Sequence, residues 1–261
     1  MTALSESDLT YRDEIRRWVP ALTGFQSMTG ICDALAPGSS AVGLKLFAEG
    51  NLSKRREKLQ AQLEFVADAF DDLEDRVSAY VQTTAAPAYE TTDGVRFLSW
   101  LERTGALTPR QRDYVACQRA RLAVEAAARA DRPGHLRFQE LWSLLPQLAA
   151  ELDTAPRLRA CLNPIRAWSR FLTTALLDDD ATLPADVLFF AASEEIRTAV
   201  LDPHGRELVE ELAARGPCTL DEWATRSQHA DREELVTLCR DLAEMGLVAF
   251  ERSGPSRGSR F

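Results

Sequence analysis

The stretch Leu183–Arg252, LPADVLFFAASEEIRTAVLDPHGRELVEELAARGPCTLDEWATRSQHADREELVTLCRDLAEMGLVAFER, decides the fold. It opens with two β-prone runs, Asp186 to Phe190 and Glu195 to Val200, separated by a polar Ser193-Glu194 turn, which predicts a hairpin. Asp202-Pro203 then supplies an N-cap and a proline at the first helical position, and Leu208, Val209 and Leu212 form one apolar face before Gly216-Pro217. Thr219 with Glu222, and Asp231 with Glu234, are capping boxes for two further helices. The second carries Leu235, Leu238, Leu242 and Met245 at helical spacing and stops at Gly246, after which Leu247 to Phe250 reads as a returning strand. A hairpin, three capped helices and a last strand together predict a small α+β winged-helix-like domain over 181–252.

Charge weighs on what such a domain can hold. Its third helix carries Arg232 and Arg240 against Asp231, Glu233, Glu234, Asp241 and Glu244. Duplex binding draws most of its affinity from neutralised phosphates, and this helix repels them. The whole chain agrees, with net charge −9 and a pI near 5.0. The expected partners therefore exclude nucleic acid.

Working outward, the 261 residues are 45% hydrophobic, which suffices for two domains with real cores. No apolar run reaches a membrane-spanning length and the first residues are polar, so a cytoplasmic location with no membrane partner is expected. Five scattered cysteines without a C-x-x-C pair predict reduced, mostly buried thiols.

The fold class expected overall is mainly α: an N-terminal helical bundle domain followed by the winged-helix-like domain. Residues 1–45 read as an arm and loop after a short helical pattern at Tyr11 to Leu22, residues 46–180 as the helical domain and 253–261 as a flexible tail. Leu59, Leu63, Val66, Phe70, Leu73, Val77 and Tyr80 recur in steps of four and three, predicting one long helix or two helices meeting near Phe70 to Asp72. Asp93 is placed to cap a helix through Phe97, Leu98, Trp100 and Leu101, and Thr108-Pro109-Arg110-Gln111 opens an amphipathic helix reaching Ala130. Asp131 to Gly134 breaks the chain, Glu140 to Leu152 is helical, and Asp153 to Asn163 is irregular or extended. Asn163-Pro164 is expected to start a helix through Trp168, Phe171, Leu172 and Leu176, with Asp178 to Asp180 and Thr182 to Pro184 as the linker.

Signals for catalysis are missing. The three histidines, His135, His204 and His229, hold no metal-ligand spacing, and no nucleophile elbow, P-loop or dinucleotide glycine pattern occurs. No catalytic residue, metal ligand or cofactor is assigned to this chain, and an accessory, non-catalytic role is expected.

The order of pieces resembles partner proteins of multinuclear non-haem iron-dependent oxidases. Leu46 to Leu52, followed by Leu59, Leu63, Ala67-Asp68-Ala69-Phe70 and Leu73, is similar to that family's opening, with Phe47 where tyrosine and Asp71 where proline is expected. Gly94 to Leu101 and the helix after Pro109 look like its continuation. Val187 to Phe190, Leu201-Asp202-Pro203, Leu208 and Leu242 to Val248 are similar to its C-terminal module, related to the elements that recognise precursors of ribosomally made, modified peptides (RiPPs). The resemblance implies a heterodimer in natural product biosynthesis. The partner oxidase holds iron and modifies a precursor peptide, while this chain binds the leader and presents it.

A leader would add as a strand to the edge of the small sheet, beside the third helix. Candidate peptide contacts are Val187, Phe189, Ile196, Thr198, Leu235 and Leu238, with Arg197 and Arg232 for an acidic leader residue. Any one of the apolar residues can equally be core. The oxidase-facing surface is sought at Trp100 and at the arginine-bearing helix after Pro109, including Arg112 and Arg119, although those arginines also suit a solvated face. A transcriptional regulator and a protein–protein adaptor remain the alternatives.

Overall fold

A computed structural model describes residues 41–85, 92–148, 158–227 and 230–252. The expected N-terminal arm up to residue 40, the C-terminal tail, His229 and Cys32 lie outside them. Among the described residues the protein is mainly α, with ten helices and two three-stranded antiparallel sheets. The chain divides into two compact units, Met1–Gln118 and Arg119–Phe261. That division falls 62 residues before the boundary expected at 180.

The first unit is helical: α1 (Ala41–Gln60), α2 (Glu64–Ala67), α3 (Leu73–Thr83), α4 (Asp93–Thr104) and the first part of α5 (Pro109–Ala130). The apolar stripe does what its spacing predicts, since Leu59, Leu63, Val66, Phe70, Val77 and Tyr80 are all buried. The helix breaks near Phe70 as expected and breaks once more after Gln60. Its start is earlier than the pattern indicated, because α1 runs through Gly43 and Gly50, poor helix formers. Thr92, rather than Asp93, caps α4, its hydroxyl accepting from Val95 N at 3.4 Å.

Asp93 serves a different purpose. Its carboxylate takes Arg55 Nε at 2.5 Å and Nη2 at 2.9 Å, and the Tyr80 hydroxyl at 2.8 Å. Arg55 also donates to the Thr84 carbonyl at 2.6 Å and lies over the Tyr80 ring, 5.3 Å from its centroid. The two charged side chains are only 10% and 13% exposed, so the network clamps α1, α3 and α4 together with charges paired away from solvent. Tyr80, Phe97 and Trp100 pack ring to ring beneath it at 5.3–5.9 Å.

In the second unit, α6 (Arg132–Ser143) begins where a chain break was expected, because Asp131 accepts from Gly134 N at 3.1 Å and caps it. The short α7 (Leu145–Leu148) follows. The largest correction comes next. β1 (Leu158–Leu162) falls in the stretch expected to be irregular or extended, but residues 164–176 do not form a helix: β2 (Arg166–Phe171) occupies this region. Trp168, Phe171 and Leu172 fit a helical stripe, but β2 finds a six-residue antiparallel register with β3 (Ala185–Ala192), from Arg166 opposite Phe190 to Phe171 opposite Ala185. Pairing with an apolar strand overrides the local pattern.

β3 and β4 (Glu195–Leu201) form the expected hairpin, giving one sheet in the order β2-β3-β4. The three capped helices follow as read: α8 (Pro203–Arg215), α9 (Leu220–Arg226) and α10 (Arg232–Met245), with both capping boxes formed. The two-residue β5 (Cys218–Thr219) and the returning β6 (Val248–Arg252) flank β1 in the second sheet, in the order β5-β1-β6. One core joins Leu188 and Phe190 of the first sheet, Ala160 and Phe250 of the second, and Leu208, Leu212, Trp223, Leu235 and Leu242 of the helices.

Asn163, buried at the corner between β1 and β2, ties these layers. Its Nδ2 donates to the carbonyls of Ala191 at 2.7 Å and Gly246 at 3.2 Å, its Oδ1 accepts from Ile165 N at 2.9 Å, and its own N–H reaches Leu247 O at 2.8 Å. Gly246, at φ +89°, ends α10 in a Schellman turn, with Leu247 N bonded to Leu242 O and Gly246 N to Ala243 O. Trp142 packs against that glycine and donates its indole N–H to Ala243 O at 2.7 Å.

Candidate peptide groove

The site is built by three elements that converge at the end of β4. β4 is an edge strand, paired to β3 and to no other described strand. Its first half lies near the C-terminus of α10, since Arg197 Nη1 donates to Met245 O at 3.3 Å. Its far end runs into Asp202, which caps α8 by accepting from Gly205 N at 2.6 Å. Between that cap and α10 lies an open groove of about 480 Å³ lined by Asp202, His204, Gly205, Leu208, Glu233, Glu234, Thr237, Leu238 and Asp241. Leu208 and Leu238 supply the apolar floor and the carboxylates its rim.

Capping chemistry explains how two of these carboxylates, Asp202 and Glu234, come to stand here. Acidic side chains favour helix N-termini, where N–H groups lack intrahelical partners. Asp231 accepts from Glu233 N at 2.9 Å and Glu234 N at 3.0 Å, and Glu234 returns the contact by accepting from Asp231 N at 3.1 Å. Each bond fixes a carboxylate and leaves oxygen lone pairs open.

The expected contact residues separate into two groups. Alternation along the sheet puts Val187, Phe189, Ile196 and Thr198 on the face opposite the helices, since Phe189 pairs with Thr198 and Ala191 with Ile196. On the helix side, Leu188, Phe190 and Ala199 enter the core. Val187 and Phe189 are each 1% exposed on the central strand and Leu235 is fully buried in α10, so these three are interior residues that a peptide does not reach. Ile196, Thr198, Arg197 and Leu238 are partly or fully accessible, and of them only Leu238 lines the groove. Both arginines expected to meet an acidic leader residue already face carboxylates: Arg197 lies 2.6 Å from Glu195 and Arg232 2.7 Å from Asp221.

Of the residues sought for an oxidase surface, Trp100 is half-buried in the aromatic cluster of the first unit, Arg112 is exposed, and Arg119 is half-buried and engaged in an interaction. The sequence reading missed the lining residues Asp202, His204, Glu233, Glu234, Thr237 and Asp241. The capping signals had marked several of them, as helix starts rather than as neighbours across a groove.

The three thiols of the second unit's described residues are buried. Burial and the nearby Glu251 carboxylate push the Cys161 thiol up to about 12, burial pushes Cys239 up to about 12, and burial also raises Cys218. Such thiols stay protonated and unreactive at neutral pH. Among the described residues no group of three or more His, Cys, Asp or Glu side chains converges to hold a metal ion, and no helix is long and apolar enough to cross a membrane. Comparison with models of known protein families, with curated proteins and with solved structures finds no match.

Proposed function

We propose that this chain is a non-catalytic accessory subunit that holds the leader of a ribosomally made precursor peptide and presents it to a multinuclear non-haem iron oxidase. In this reading the C-terminal unit is a winged-helix-like recognition element, the iron belongs to the partner oxidase, and this chain brings no cofactor of its own. The observation that carries the reading is the unpaired edge of β4 beside a groove floored by Leu208 and Leu238. A strand edge offers main-chain hydrogen bonds to any extended peptide, and an adjacent groove adds side-chain selectivity. The regulator alternative is weakened by the acidic surface of α10, which repels phosphate.

The test is co-purification of the tagged chain with an iron oxidase encoded beside it, then fluorescence-polarisation titration of the adjacent short peptide and, in parallel, of a labelled promoter duplex. Saturable peptide binding that Leu238→Asp weakens while Ile196→Asp leaves it intact assigns the groove side of the sheet. The opposite ranking assigns the other face. Duplex binding that collapses with salt, with no response to peptide, overturns the proposal in favour of a regulator.

A further inference from the structure

Resting on that peptide-binding reading, we infer that the groove selects cationic peptides, with lysine or arginine at the polar positions of the segment that lies over α10. Four carboxylates line it, Asp202, Glu233, Glu234 and Asp241, and no lysine or arginine is among its lining residues. His204 is the one lining group that can carry positive charge. Of the neighbouring arginines, Arg197 is engaged by Glu195 and Met245 O, Arg206 by Asp186 and Arg232 by Asp221, and Arg240 is also engaged in an interaction. An acidic residue at this edge therefore meets like charge, whereas a basic one meets carboxylate oxygens, two of whose side chains, Asp202 and Glu234, are held by their caps. Complementarity of this kind chiefly sets partner choice and encounter rate.

The spacing sharpens the inference. Glu234, Leu238 and Asp241 recur along one face of α10, so the two carboxylates are separated by about 10 Å along the helix. An added strand presents every second side chain to the same side, so residues i and i+4 stand about 13 Å apart with i+2 between them. Long basic side chains bridge that difference, and the middle residue falls over Leu238. The preferred pattern is basic-x-apolar-x-basic.

Selection of displayed random dodecamers on the full chain tests this without knowledge of the natural peptide. Wild type should enrich the basic-x-apolar-x-basic pattern. A labelled synthetic peptide of that pattern should lose at least about tenfold in affinity, roughly 1.4 kcal/mol, for the Glu233→Lys/Asp241→Lys variant. Glu74→Lys on α3, a charge change in the other unit, should leave both the selection and the affinity unchanged, and circular dichroism checks that every variant folds. Enrichment of acidic peptides, or of peptides indifferent to charge that Leu238→Asp still releases, overturns the charge selectivity and leaves the groove as a peptide site. Failure to enrich any peptide sinks both readings.

Discussion

Each of the two units of this chain is held together internally by its own means. In the first, a charge network does the fastening: Arg55, Asp93 and Tyr80 lock three helices above an aromatic cluster. In the second, a neutral side chain does it: Asn163 stitches two sheets and the end of α10 through carbonyls and one amide N–H, beside an apolar core drawn from both sheets and the helices. A buried charge pair is expensive to break because the survivor is left unsolvated. A neutral hub is cheaper to break but connects more elements.

That contrast can be broken or sharpened by substitution. Arg55→Leu should have the largest effect, about 3–5 kcal/mol, because it strands the Asp93 carboxylate in a mostly closed site. Its loss should appear in hydrogen exchange of α1, α3 and α4 while the amides of β3 stay protected; equal loss in both units would erase the distinction. Asn163→Ala should follow at about 2–4 kcal/mol, since the Ala191 and Gly246 carbonyls and the Ile165 N–H all lose a partner inside the core. Here β3 and β6 should exchange first, and denaturant melts measure the size. Gly246→Ala should cost about 1–3 kcal/mol, part from the left-handed backbone and part from a methyl meeting Trp142 at 3.2 Å.

The smallest of these effects is set by pH. Cys161 and Cys239 have folded-state pKa values raised to about 12, so they favour the fold while protonated. Their contribution is complete below the unfolded thiol value near 9 and drains away between about pH 9 and 12, by roughly 1.4 kcal/mol per thiol at pH 10. In the first unit Tyr80 is raised by burial and by Asp93, so its contribution drains only above pH 10. Alkaline melts followed by hydrogen exchange should therefore show the amides of β1 and α10 losing protection above about pH 9. Unchanged protection there up to about pH 12 would contradict the burial of these thiols.

Legibility in the sequence followed the range of the interactions. Caps, proline at the first helical position and the stripe from Leu59 to Tyr80 are local, and the elements they mark stand where they were read, Asn163-Pro164 excepted. The hairpin is local too. What escaped is long-range: β1 finds partners at Cys218 and Val248, far along the chain, and no periodicity within Leu158–Leu162 announces them. β2 escaped for a related reason, since Trp168 and Phe171 satisfy a helical pattern that only the register with β3 overrules. Of the peptide contacts, Leu238 was legible from its place on α10. The groove's carboxylates were not, because each was already accounted for as a cap or a solvated charge, and only the tertiary fold brings Asp202 opposite Asp241.

The order β5-β1-β6 also bears on how the chain is made. Leu162 pairs with Val248, so the central strand leaves the ribosome well before the strand that completes its sheet. At ordinary rates of synthesis that interval is on the order of ten seconds, and until β5 emerges partway through it Leu158, Ala160 and Cys161 have neither flanking strand. The cell must keep that strand from pairing with a stranger for as long as translation takes, and a fragment beginning at the apparent linker near 181 would lack it altogether, leaving β5 and β6 with nothing between them.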